Sequence, residues 1–262
     1  MGKYRRINVG SCRPLEHLAH YSRALRVGDM VMQSGTTAID TEGNVIGEGD
    51  VAAQVDAIVD IARQSMGKAG GRLEDVVRTR TYLTDLSVAN EAGRALGKYF
   101  RDVRPAATLV GVNRLARPAQ LIEIEFDAID GAEQNAQRIA SGRPTEEEFG
   151  YSRAVRVDDR VFIAGTTALQ DGGTVACPGD IYGQSKITME TIQGALEEAG
   201  GTLGDLVYSK TFLTDMAQSD GQREARMEVL GDIRPPWTLL GIPGLQYPEM
   251  LVEITPVAVV DA

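Results

Sequence analysis

One passage of this 262-residue chain is written twice, always 130 positions apart. Tyr21-Ser22-Arg23-Ala24 returns as Tyr151-Ser152-Arg153-Ala154, and Gly35-Thr36-Thr37-Ala38 returns as Gly165-Thr166-Thr167-Ala168. Ala69-Gly70-Gly71, Leu83-Thr84-Asp85 and Arg104-Pro105 recur at the same offset. Between residues 21–128 and 151–258, 40 of 108 positions are identical without a single gap. Solenoid units repeat every 20–50 residues, whereas a period of this length is a whole domain. The chain is therefore two copies of one fold: a first domain over 1–130, a linker over 131–138 and a second domain over 139–262. The repeat reaches a little upstream of the tyrosine, because Arg143-Pro144 and Glu146 match Arg13-Pro14 and Glu16.

Within copy one, Arg23–Val27 and Met30–Ser34 are strand-like runs joined by Gly28-Asp29, a hairpin signal. Asp50 is placed to cap a helix over 51–69, whose apolar residues recur every three or four positions, and Gly70-Gly71 stops it. Residues 76–83 alternate and are rich in β-branched side chains, which predicts a strand. A second helix is expected over about 88–101, and 107–112 and 120–129 are the last two strands. The order β-β-α-β-α-β-β predicts a two-layer α+β sandwich with two helices on one sheet face. The other face then needs a cover, for which self-association is the usual source.

The net charge of −10 argues against nucleic acid or an anionic membrane as partner. No run approaches the roughly 20 apolar residues of a membrane helix. Residues 1–6 lack the apolar stretch of a secretory signal and the Ser or Thr of a myristoylation motif, so a cytoplasmic protein is expected. Cys12 and Cys177 fall at non-equivalent places and read as free thiols. His17 and His20 are too few for a metal site, which needs three or four ligands, and no metal is expected.

These motifs, in this order and seen twice, resemble the Rid family, the YjgF-like reactive-intermediate deaminases. The resemblance rests on the Tyr-Ser-Arg-Ala opening, the Ser34-Gly35 turn, Gln54 in the capped helix, the Ala-Gly-Gly stop, the Thr-Tyr-Leu-Thr-Asp-Leu strand, Arg-Pro, and the closing Leu-Ile-Glu-Ile-Glu strand. It implies tandem chorismate-mutase-like domains, each a mostly antiparallel sheet with two helices on one face. It also implies clefts between domains, a small-molecule ligand and no cofactor. Trimeric packing is implied as well. With two domains per chain, that becomes a homotrimer of six domains. The implied reaction is hydrolysis of an enamine or imine to a carbonyl compound and ammonia. A non-catalytic ligand-binding or interaction protein of the same fold is the alternative.

The resemblance also locates candidate residues and a departure. Glu123 and Glu253 stand at matching places on the final strand, where the family's glutamate helps place water. The family's deaminase branch holds the substrate carboxylate with an arginine on the penultimate strand, but Ala107 and Trp237 occupy that position here. Tyr21 and Tyr151 are candidate cleft walls. Ser34 aligns with a family cleft serine, although copy two has Ala164. Thr108 and Thr238 could donate a hydroxyl, and Arg104 and Arg234 could supply a cation from a neighbouring position. Arg117 faces Tyr247 in copy two. Trp237 would fill or narrow a cleft, and the losses at Ala164 and Trp237 favour copy one as the working copy.

Overall fold

A computed structural model describes residues 5–261; the residues 1–4 on which the processing expectations partly rest lie outside that range. Copy one contains β1 (Arg6–Val9), α1 (Pro14–Ala19), β2 (Ala24–Val27), β3 (Met30–Thr36), α2 (Val51–Lys68), β4 (Val76–Leu83), α3 (Ala89–Phe100), β5 (Ala106–Gly111) and β6 (Ile122–Ile129). A short α4 (Ala132–Asn135) follows. Copy two repeats the series as β7 (Gln137–Ile139), α5 (Pro144–Phe149), β8 (Ala154–Val157), β9 (Arg160–Ile163), α6 (Ile181–Glu198), β10 (Leu206–Leu213), α7 (Ser219–Leu230), β11 (Trp237–Gly241) and β12 (Val252–Val259). Each copy is one six-stranded sheet, ordered β1-β2-β3-β6-β4-β5 and β7-β8-β9-β12-β10-β11. Among the described strands, β4–β5 and β10–β11 pair in parallel and the other pairings are antiparallel. This is the α+β architecture expected from the sequence, twice over. No described helix is long and apolar enough to cross a membrane.

Local chemistry sets the elements. Asp50 accepts from the Ala53 N–H at 2.8 Å and Asp180 from the Gly183 N–H at 3.0 Å, so α2 and α6 begin with a side-chain cap. The Gly71 N–H reaches back to the Met66 carbonyl at 2.8 Å and closes α2. The apolar faces of α2 and α3 meet Ile122, Ile124 and Phe126 of β6 in a fully buried core. Gln54 is buried in that core's rim, donating to the carbonyls of Gly47 (3.1 Å) and Ala119 (2.8 Å) and accepting from the Leu121 N–H (2.9 Å). Gln184 repeats the arrangement with Cys177, Glu249 and Leu251. These glutamines tie each long helix to the loop that enters the final strand.

Much of the cover needed by copy one comes from copy two. Val77, Ala106 and Ile129 share a buried cluster with Val155, Phe162 and Ala164, and the Arg78 guanidinium lies 5.1 Å from the Phe162 ring centre. The edge strand β5 is stitched to copy two by the backbone. Ser152 N–H donates to the Pro105 carbonyl at 3.1 Å and Gly165 N–H to the Ala107 carbonyl at 2.9 Å. On the helical layer, α5 lies across α3 because Gly93 and Gly97 present no side chain: a Cβ on Gly97 would stand 2.5 Å from the Glu148 carbonyl oxygen. A Gly97→Leu variant is therefore expected to lose about 1–3 kcal/mol. Amide hydrogen exchange should report the loss first in α5, and a change confined to α2 would contradict this view of the joint.

Candidate functional site

The joint between the copies holds a partly open cavity of about 120 Å³. Copy one supplies Thr79 and Thr81 from β4, Thr108 and Leu109 from β5, and Leu96 and Phe100 from α3. Copy two closes it with Arg143, Phe149, Tyr151, Arg153, Tyr247 and Glu253. The cavity is therefore built from the penultimate strand of one copy and the final strand of the other.

Glu253 sits within β12 and is only 5 % exposed. Its carboxyl group faces a break in the neighbouring strand. β9 ends at Ile163, and pairing with β12 resumes only at Thr166, opposite Ile254. The intervening Ala164-Gly165 step leaves room for the acid, since a Cβ on Gly165 would overlap Glu253 Oε1. Copy one builds the same device: register between β3 and β6 shifts between Gln33 and Thr36, and Gly35 makes room for Glu123. Irregularities of this kind re-aim side chains beside functional sites.

The two acids differ in surroundings. Burial pushes the Glu253 carboxyl up to about 8, against the pull of Arg153 and of the Leu109 backbone amide. Burial also raises Glu123, helped by the negative charge of Glu125 and opposed by Arg23. Glu123 remains partly exposed, because the β5 equivalent that would cover it is not supplied by this chain. A protonated carboxylic acid at neutral pH inside a small, largely apolar cavity can give a proton to a bound nitrogen and take one back from water.

The candidates from the sequence divide accordingly. Glu253, Tyr151 and Thr108 come together around the cavity. Glu123, Tyr21 and Ser34 lie on the far side of copy one, where Ser34 Oγ donates to the Ser22 carbonyl at 2.7 Å and the Arg23 guanidinium donates to Tyr21 Oη at 2.5 Å. Trp237 and Thr238 are on β11 at the opposite end of the molecule. The indole donates to Thr211 Oγ1 at 2.9 Å and stacks with Arg226, filling in copy two the space that in copy one belongs to the cavity. Thr238 accepts from Tyr208 Oη at 3.3 Å. Arg234 is solvent-exposed beside Asp232, and Arg104, at φ 52°, stands outside the cavity lining. Arg117 lines a separate, somewhat more open pocket, whereas Tyr247 lines the cavity. Among the described residues, no three His, Cys, Asp or Glu side chains converge as a metal site. Sequence reading gave no role to Arg143, Arg153 or Phe149. Retention of both arginines in both copies was the available signal.

The sequence pattern of the family described as endoribonuclease L-PSP matches residues 13–130 and 143–260. The chain belongs to that family, the YjgF or Rid group. The family's domain is present twice, which agrees with the repeat and with both sheets. An uncharacterised protein of Streptomyces coelicolor is 35% identical over 118 residues, covering 45% of this chain and 87% of that protein. The 3-aminoacrylate deaminase RutC of Acinetobacter baylyi is 32% identical over 108 residues, covering 41% and 85%. Among solved structures, a YjgF/YER057c/UK114 family member from Mycobacterium tuberculosis is 34% identical, with TM-score 0.44, over 48% of this chain and all of that one. A chorismatase matches across both copies, with TM-score 0.62 over 91% of this chain and 76% of that one. At 18% identity that likeness concerns the fold alone.

Proposed function

We propose that this Rid-family protein hydrolyses a small enamine or imine in the cleft between its two copies, without an organic cofactor. The observation that carries the reading is Glu253, a carboxyl buried opposite Gly165 in the wall of a small cavity, where burial raises its pKa. In the proposed cycle the Glu253 proton passes to the imine nitrogen while water oxygen bonds to the imine carbon. The carboxylate then takes a proton from that water, leaving a neutral carbinolamine. Transfer of the hydroxyl proton to nitrogen through the same acid breaks the C–N bond, giving a carbonyl compound and ammonia. An imine carbon is already electrophilic, so holding water and substrate together is a large part of the task. The deaminase named among the relatives is consistent with this class. A net charge of −10 argues against an RNA strand as partner. Ammonia release from a panel of freshly generated imines tests the reading. Turnover by the wild type is expected, and none on any member, with the fold intact, would oppose it.

Assembly is part of the same proposal. The Glu123 face acquires a second wall only from another copy's β11, so self-association adds clefts. The expected homotrimer meets a geometric condition, however. If three domains close a ring, one ring holds a whole chain and one further domain. Two rings from three chains would then have to separate one chain's copies. The Glu253 cleft is complete within a single chain, so its specific activity is expected to stay constant on dilution, whatever mass is measured in solution. Activity that falls with dissociation would place the working cleft between chains.

A further inference from the structure

The internal repeat allows one copy's arginine to be compared with its twin. In copy one, Arg23 Nε is paired with Glu16 Oε1 at 3.0 Å, both side chains being buried. In copy two, Arg153 is 4 % exposed and its Nε has no hydrogen-bond partner. Glu146, the twin of Glu16, accepts from the Ser141 N–H (2.9 Å), the Ser141 hydroxyl (2.6 Å) and the Gly142 N–H (3.2 Å), as Glu16 accepts from Ser11, but makes no bond to Arg153. Arg153 keeps only the Gly165 carbonyl (3.3 Å) and Thr166 Oγ1 (3.1 Å), both through Nη1. Arg143 lines the same cavity, and its Nε is also buried and without a hydrogen bond. Its carboxylate neighbour, Asp171, stands 3.8 Å away with a side chain 92 % exposed. Two guanidinium groups thus share a small cavity: the charges of Glu146 and Glu253 reach Arg153 without a hydrogen bond to it, and Arg143 donates to the Leu169 carbonyl. A buried cation without a partner is costly, and an anion that reaches it recovers part of that cost.

We propose that Arg143 and Arg153 form an anion subsite that takes the carboxylate of a small organic acid with an apolar body. The guanidinium fork suits a carboxylate, which can accept two parallel N–H bonds. Leu96, Phe100, Leu109, Phe149 and Met250 provide the apolar wall. The clamp missing at Ala107 is thereby supplied from the opposite side of the cleft, by copy two, next to Glu253. The subsite rests on reading the cleft as a ligand site, but it needs no turnover.

Calorimetric titration of the full chain at pH 7 tests it, with phenylacetate, phenylacetamide and inorganic phosphate as probes. Phenylacetate is expected to bind at least 10-fold more tightly than its neutral amide, and phosphate not to bind. Arg153→Gln should abolish the preference, whereas Arg23→Gln, at the paired twin, should preserve it. In the wild type, the Arg153 Nε–H resonance should shift on adding phenylacetate, a readout that requires no variant to fold. Equal binding of acid and amide, phosphate binding in preference to phenylacetate, an unmoved Nε–H signal, or an unchanged preference in Arg153→Gln would each overturn the subsite. A protein that binds phenylacetate but turns over no imine keeps the subsite and loses the hydrolase reading. Turnover of neutral imines without phenylacetate binding does the reverse.

Discussion

Glu253→Gln is expected to lower turnover by about 10²–10⁴-fold, the usual worth of a positioned acid–base group, and to make the protein more stable in mild alkali. The second effect follows from the direction of the shift. In the unfolded chain a glutamic acid ionises near 4.5, whereas in the folded protein burial holds Glu253 neutral to about 8. The native state therefore binds the extra proton between these values, and stability contributed by the neutral acid is fully present below pH 4.5. It is lost as pH rises through about 8 and does not fall further beyond it. At one pKa unit per 1.36 kcal/mol, the difference between variant and wild type should grow across this window to on the order of 5 kcal/mol. Chemical denaturation at pH 5, 7 and 9 measures it. A variant equally destabilised at every pH would show that the carboxyl is a structural hydrogen-bonding group and not a buried acid.

The second large effect is expected at Gly165. Gly165 is not among the glycines with positive φ, so alanine meets no backbone strain there. Its Cβ would instead overlap Glu253 Oε1, and the enclosed carboxylate has little room to retreat. Gly165→Ala should cost about 1–3 kcal/mol by overpacking and reduce activity about as severely as loss of the acid itself. The twin substitution Gly35→Ala presses on Glu123, which is partly exposed and can rotate toward solvent, so a smaller loss and near-normal turnover are expected. Thermal melting and ammonia release on the two variants give the comparison. Equal effects in both copies would mean that the clefts are equivalent.

The regular elements were legible because long amphipathic patterns leave little choice. The alternating β-branched run Val76–Leu83 and the capped helix after Asp50 are strands and helices for reasons visible in the residues themselves. The short β1 and β7 carry too little periodicity in Arg-Ile-Asn-Val and Gln-Arg-Ile to declare themselves, and gain strand pairing only from β2 and β8. The pairing of residues into a site was harder to read. Comparing the copies places Ala164 and Trp237 together as losses of copy two. In three dimensions Ala164 faces copy one's β5, and Trp237 lies on the outer edge strand, so the two losses belong to different clefts. Arg153 was hidden for a related reason: its twin Arg23 is neutralised by Glu16, both glutamates accept from a serine five residues upstream, and only the fold shows that Glu146 makes no bond to Arg153.

The proposed chemistry depends on Glu253 keeping its proton at neutral pH between the two copies. Carbon-13 NMR titration of the glutamate carboxyl carbons, with Glu253 assigned by its absence in Glu253→Gln, reads this directly. One carboxyl titrating near pH 8 is expected; a Glu253 resonance that titrates between pH 4 and 5, with the solvent-exposed glutamates, would contradict it.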